Sequence, residues 1–231
     1  MRAGLAALVL LAAGCGGSSA PPPSPALRDA AEPVAPRHAA RSAVEDIAGL
    51  SELGDARPLP VSGAVSSRSR IEPYLSRLAR GITGRRGVEV RCWSVRDWRP
   101  IRVALAAGAL RPGSGGRAHL PAAECNRLVA FANRPTDVRG RPRIELAVAV
   151  AAFAHDLEHL AGGRAEPVVE CRGMQEIDSV AGLLGAPRPL ARGLAQLYWT
   201  QIYPRNPPAY RSPECRDGGT LDLDRTLDLW P

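Results

Sequence analysis

Two of the chain's four histidines stand four residues apart, in His155-Asp156-Leu157-Glu158-His159. On an α-helix, residues i and i+4 share a face, so this pair can offer two imidazole nitrogens to one ion. Zinc accepts imidazole, and its catalytic sites use three protein ligands and keep one position open. The two intervening acids extend the chemistry. At about 100° per residue, Asp156 lies roughly 80° to one side of the histidines' mean direction and Glu158 roughly 80° to the other. Either carboxylate could take a proton from a water at the ion. The plainer alternative is a polar helix end with solvated acids. A lone histidine would favour that alternative; a spaced pair with flanking acids favours a metal site.

Such a pair needs a rigid support, and the preceding residues provide one. Leu146 to Ala154 is apolar on every side, the pattern of a helix buried in a core. Pro142 suits the first turn of that helix. Gly162-Gly163 marks its end. A long buried helix from Pro142 to about Leu160 therefore presents the histidines at its C-terminal end.

The motif resembles the H-E-x-x-H helix of zincin metallopeptidases, with Asp156 in the place of the glutamate base. Leu160-Ala161-Gly162 is similar to the glycine turn that follows that helix in many zincins. Glu166-Pro167-Val168-Val169-Glu170-Cys171 resembles the E-x-x-A-[DE]-C segment of the neutral zinc metallopeptidases. The resemblance implies that Glu166 is the third ligand of a Zn2+ ion and that Glu170 supports the ligands from behind. Glu166 follows the Gly-Gly break and opens the next helix, so it can fold back over His159. Asp156 is one methylene shorter than the family's base. Glu158 offers a substitute, since His-x-x-Glu-His matches the inverted zincin order, although the third ligand of that group lies much further downstream. The resemblance thus implies either a zinc peptidase acting on peptide or protein substrates, or a zinc-binding or structural envelope lipoprotein that has lost its base. Tyr198, Tyr203 and Tyr210 are the tyrosines available to stabilise an oxyanion, and core packing is the simpler expectation for each.

The other elements are read from periodicity. Ile71, Leu75, Leu78 and Ile82 recur at helical spacing, ended by Gly84 and Gly87. Val88 to Cys92 alternates like a half-buried strand. Ile101 to Leu105 reads as a second strand, and Ala122 to Ala132 as a helix. Further helices fit Glu166 to Leu184 and Ala191 to Tyr203, with an irregular tail from Pro204. Asp222, Asp224 and Asp228 alternate with leucines, as in an edge strand or tail. Gly113-Ser114-Gly115-Gly116 reads as a loop; it lacks the lysine and the context of a phosphate cradle. The expected fold class is α+β: a small zincin-like domain with a short β-sheet and C-terminal helices around the metal-site helix.

The chain begins with a charged residue, Arg2, then an apolar run ending in Leu11-Ala12-Ala13-Gly14-Cys15. That order describes a secretory signal. The cysteine after small residues resembles a bacterial lipoprotein signal, which implies cleavage before Cys15 and its acylation. The expected organisation is a signal peptide over 1–14, a lipidated Cys15 with an Ala/Pro/Ser-rich tether over 15–69, and the domain over 70–231. Ser42 to Leu53 allows a short helix within the tether. The anchor implies an extracytoplasmic protein held at the bacterial cell membrane, a setting that excludes chromosomal DNA. With Cys15 assigned to the anchor, four of the five cysteines remain. Three pairings of Cys92, Cys125, Cys171 and Cys215 are possible. Cys92–Cys125 with Cys171–Cys215 is favoured because each bond then staples one half of the domain.

The net charge of +7 is unevenly distributed. Ile71 to Arg143 holds 15 arginines and 5 acids, whereas Ile144 to Pro231 holds 8 arginines and 12 acids. The metal motif lies in the acidic half. Solvated charge is the default for the basic half, with anionic lipid or wall polymer as candidate partners.

Overall fold

The computed structural model describes residues 69–106, 110–135, 138 and 141–224. The signal and tether readings, with Cys15, the Ser42 to Leu53 segment and Asp228, lie outside them. The described residues form an α+β fold.

Strands β1 (Ser69–Ile71), β2 (Glu89–Trp93) and β3 (Arg117–Pro121) make one sheet in the order β1-β2-β3. β1 is antiparallel to β2, with Arg70 opposite Cys92. β3 is parallel to β2, with Arg91 opposite His119. On β2, Val90 and Cys92 are buried, while Glu89, Arg91 and Trp93 are half-buried, the alternation its sequence predicts. β1 and β3 escape a periodicity reading. β1 has three residues, and the alternation of β3 ends at Pro121.

Helix α1 (Pro73–Thr83) begins with Pro73, and the Glu72 carboxylate accepts the Tyr74 N–H (3.2 Å). Gly84, at φ 66°, closes it. Ile71 does not join its apolar face: it lies in β1 and is exposed. Ile101 to Leu105 is not a strand either; it belongs to α2 (Val95–Ala106). Ser94 Oγ donates to Asp97 Oδ2 (2.6 Å), and the Asp97 N–H donates back to Ser94 Oγ (3.1 Å). That reciprocal cap starts a helix. The parallel β2–β3 pair also requires a crossover, which a helix supplies.

Helix α3 (Ala122–Asn133) leads to α4 (Arg141–Leu160), the long helix expected from Pro142. α4 packs against α1, α3 and β3 and against the helices that follow it. Its apolar run is the centre of the core: Leu146, Val150, Phe153 and Leu160 are fully buried. Truncating Phe153 would cost about 3–5 kcal/mol.

The stretch from Glu166 to Leu184 is two helices rather than one, α5 (Glu166–Gln175) and α6 (Ile177–Leu183). The break falls at Glu176, where φ is −89° and ψ is −3°. α7 (Arg188–Leu197) starts three residues before the expected Ala191 and continues as a wide turn over Tyr198–Ile202. Asp222 and Asp224 lie in irregular chain, the tail of the two readings and not an edge strand. The Asp222 carboxylate accepts the N–H groups of Gly218 (2.9 Å) and Asp224 (3.0 Å). Short acidic side chains that bond nearby backbone in this way compete with a strand ladder.

Two disulfides join Cys92 to Cys125 and Cys171 to Cys215, the favoured pairing. The first ties β2 to α3. The second ties α5 to the irregular C-terminal segment. Among the described residues, no helix is long and apolar enough to cross a membrane.

Candidate metal centre

The turn after α4 brings the site together. The Gly163 N–H bonds Glu158 O (2.9 Å), and the Gly162 N–H bonds His159 O (3.0 Å). Gly162 sits at φ 109°, a backbone state that favours glycine. The paired bonds end α4 and reverse the chain. The Arg85 guanidinium also donates to Leu160 O, placing a cation at the negative end of the helix. Two residues after the turn, Ala165 leads into α5. Glu166 is its first residue, and Glu170 follows one turn later on the same face. A glutamate pair on α5 thus meets the histidine pair on α4.

His155, His159 and Glu166 converge as a group that could hold a metal ion, with ligand atoms within 4.8 Å of one another. His155 Nε2 is 3.0 Å from His159 Nε2. Glu166 Oε2 is 3.3 Å from His155 Nε2, and Glu166 Oε1 is 3.6 Å from His159 Nε2. The outer ring nitrogens have other partners. His155 Nδ1 lies 2.8 Å from Glu170 Oε2. His159 Nδ1 lies 3.0 Å from Gly163 O. With both Nδ1 atoms donating, each neutral ring turns its Nε2 lone pair inward. Two lone pairs 3.0 Å apart repel unless a positive centre lies beside them. The donor set therefore fits a metal ion, with a proton as the competing occupant.

The electrostatics agree. Burial disfavours a charged His155 ring, but hydrogen bonds to Glu166 and Glu170 and the charges of Glu170 and Asp156 outweigh it and push the pKa up to about 10. Burial would raise Glu166, but His155 and His159 hold it down to about 2. The site carries a fixed negative charge that favours a cation.

Glu170 is the hub behind the ligands. Besides His155, its carboxylate accepts the Tyr198 hydroxyl (2.6 Å) and the Asn206 amide (2.7 Å). Asn206 also donates to Tyr198 Oη (3.3 Å). Three donors from three segments thus fix one carboxylate. The Tyr198 hydroxyl is committed here. Tyr203 accepts the Ser212 N–H (3.0 Å). Of the three tyrosines considered for an oxyanion, Tyr210 stands at the site: its ring centroid is 6.1 Å from that of His155, and it is 37% exposed.

The two candidate bases are held differently. Glu158 is buried at 6% exposure. Asp156 accepts the backbone N–H of His119 through Oδ2 (3.1 Å). Burial pushes its pKa up to about 6, against the lowering effect of His155, His159 and the His119 N–H. His119, missed in the sequence, lies on edge strand β3. Its Nδ1 accepts Trp93 Nε1–H (3.0 Å), and the two rings stack with centroids 5.8 Å apart. Asn206 was also missed. Its contact with Glu170 spans 36 residues, and no local pattern announces it. Arg117-Ala118-His119-Leu120 alternates for four residues only, too short a run to announce the strand that carries His119.

No family, curated protein or solved structure matches this chain, so the likeness to zinc metallopeptidases rests on the His155–His159 and Glu166–Cys171 motifs alone.

Proposed function

We propose that the domain is a zinc metallopeptidase that hydrolyses peptide bonds, held at the outer face of a bacterial membrane through a lipidated Cys15. The observation that carries the reading is the spacing of the inner donors. Ligands ~2.0–2.1 Å from a tetrahedral zinc are roughly 3.3–3.4 Å apart. The corresponding separations here are 3.0, 3.3 and 3.6 Å. Bound zinc would act as a Lewis acid toward the scissile carbonyl and would lower the pKa of water toward ~7.

The chain's own residues would do the rest. Glu170 and the Gly163 carbonyl orient the histidines. Asp156, whose Oδ2 accepts the His119 N–H of β3, would take the water proton through Oδ1. Glu158 is the alternative base. Tyr210, partly exposed with its ring beside that of His155, would hydrogen-bond a substrate oxygen. Two disulfides agree with an oxidising, extracytoplasmic setting, as does the lipoprotein-like N-terminus.

One observation favours a second reading, a zinc-binding scaffold without turnover: Asp156 is short, and one of its oxygens is already bonded to His119. Zinc-loaded protein incubated with a mixed peptide library separates the two. The peptidase reading expects cleavage that chelator abolishes and zinc restores. Turnover by Asp156→Glu alone would select the scaffold. No cleavage by either protein would reject hydrolysis. Labelled fatty acid should be incorporated into the parent and not into Cys15→Ala; equal labelling of the two would reject the anchor.

A further inference from the structure

Helix α2 differs from the other long helices: none of its residues with a described side chain is fully buried. Ile101, Ala104 and Leu105 are half-buried along one side, with Trp98. Val95, Arg96, Arg99, Arg102 and Val103 are all exposed. At about 100° per residue, these five fall within an arc of about 120°. Val95 is 85% exposed and Val103 59%. The helix's one acid, Asp97, lies outside the arc and bonds Ser94 in the cap. Among the described residues, none of the three guanidinium groups has an acidic partner. The arc therefore combines three guanidinium groups without an acidic partner among the described residues with two exposed valines.

We propose that this face of α2 docks on a bilayer surface bearing anionic headgroups. Guanidinium groups bind phosphate oxygens with paired hydrogen bonds. A helix lying in the interface seats its apolar groups ~5–10 Å deep, at the boundary with the acyl chains. The headgroup layer thus satisfies both kinds of side chain at once. A nucleic-acid backbone supplies phosphates but nothing for the valines. The docking uses no residue of the metal centre, so the two proposals stand or fall separately.

The test uses the full chain carrying Cys15→Ser, which removes acylation while keeping the N-terminal segment common to all samples. Co-sedimentation is measured with phosphatidylcholine vesicles, alone and mixed with phosphatidylglycerol, at low and high salt. At ~1 kcal/mol per arginine near an anionic surface, replacing Arg96, Arg99 and Arg102 by Gln should weaken binding to the anionic vesicles about 100-fold. Binding to phosphatidylcholine should change little, and high salt should erase the difference. Val95→Ser with Val103→Ser should weaken binding in a way that salt does not reproduce. Circular dichroism verifies that the variants stay folded, as exposed substitutions should. Equal binding of parent and triple variant to the anionic vesicles would overturn the proposal. Tighter binding of the parent to a single-stranded oligonucleotide than to the vesicles would also overturn it.

Discussion

At the scale of single residues, the candidate site depends on groups outside the His155–His159–Glu166 cluster. Glu170 takes hydrogen bonds from His155, Tyr198 and Asn206. Glu170→Gln should weaken metal affinity about 10–100-fold, the usual effect of losing an orienting partner. Competition against a chromophoric chelator measures it, and unchanged affinity would mean that His155 needs no support. Asp156→Asn makes a sharper comparison. The amide oxygen can still accept the His119 N–H, so fold and metal binding should persist. Without a proton acceptor, hydrolysis should fall about 10²–10⁴-fold. An active Asp156→Asn would pass the role to Glu158. The histidine pair was legible because i, i+4 spacing is local, and Glu166 and Glu170 were legible through a short motif. Asn206, Trp93 and His119 were not, because their roles depend on where the chain returns in space.

At the scale of elements, close packing sets the approach of α4 and α5. A Cβ added at Gly173 on α5 would sit 2.8 Å from His155 N. On the other side, a Cβ at Gly113 would sit 2.5 Å from His159 O, at a φ of 69°. Glycine at these two positions lets neighbouring backbone reach both ligand residues. Gly173→Ala should force the helices apart and cost about 1–3 kcal/mol. Thermal unfolding would show the loss, with weaker zinc binding as its companion. An unchanged midpoint would mean that α5 can shift freely. The long helix was legible because its apolar run, proline start and glycine stop agree. α2 was misread because Ile101 to Leu105 is rich in residues common in strands, while the cap that makes it a helix lies upstream at Ser94 and Asp97. The break at Glu176 left no proline or glycine signal at that residue.

At the scale of the whole molecule, the two disulfides divide the work. Cys171 follows Glu170 directly, and Cys215 anchors the segment that carries Asn206 and Tyr210. Replacing either pair by serine should cost about 2–5 kcal/mol. Only loss of Cys171–Cys215 should also weaken metal binding; loss of Cys92–Cys125 should lower the unfolding midpoint and leave affinity near the parent value. The charge halves follow the same division. The acidic C-terminal half supplies His155, His159 and Glu166, which could hold a metal ion, and the basic N-terminal half carries the exposed arginines of α2. The account turns on His155, His159 and Glu166 holding zinc. The decisive measurement is the metal content of full-length protein, supplied with zinc and freed of loosely bound ions, beside its His155→Ala and His159→Ala variants. About one zinc per parent chain, with little in either variant, is the predicted result. A metal-free parent, or variants that retain zinc, would contradict it.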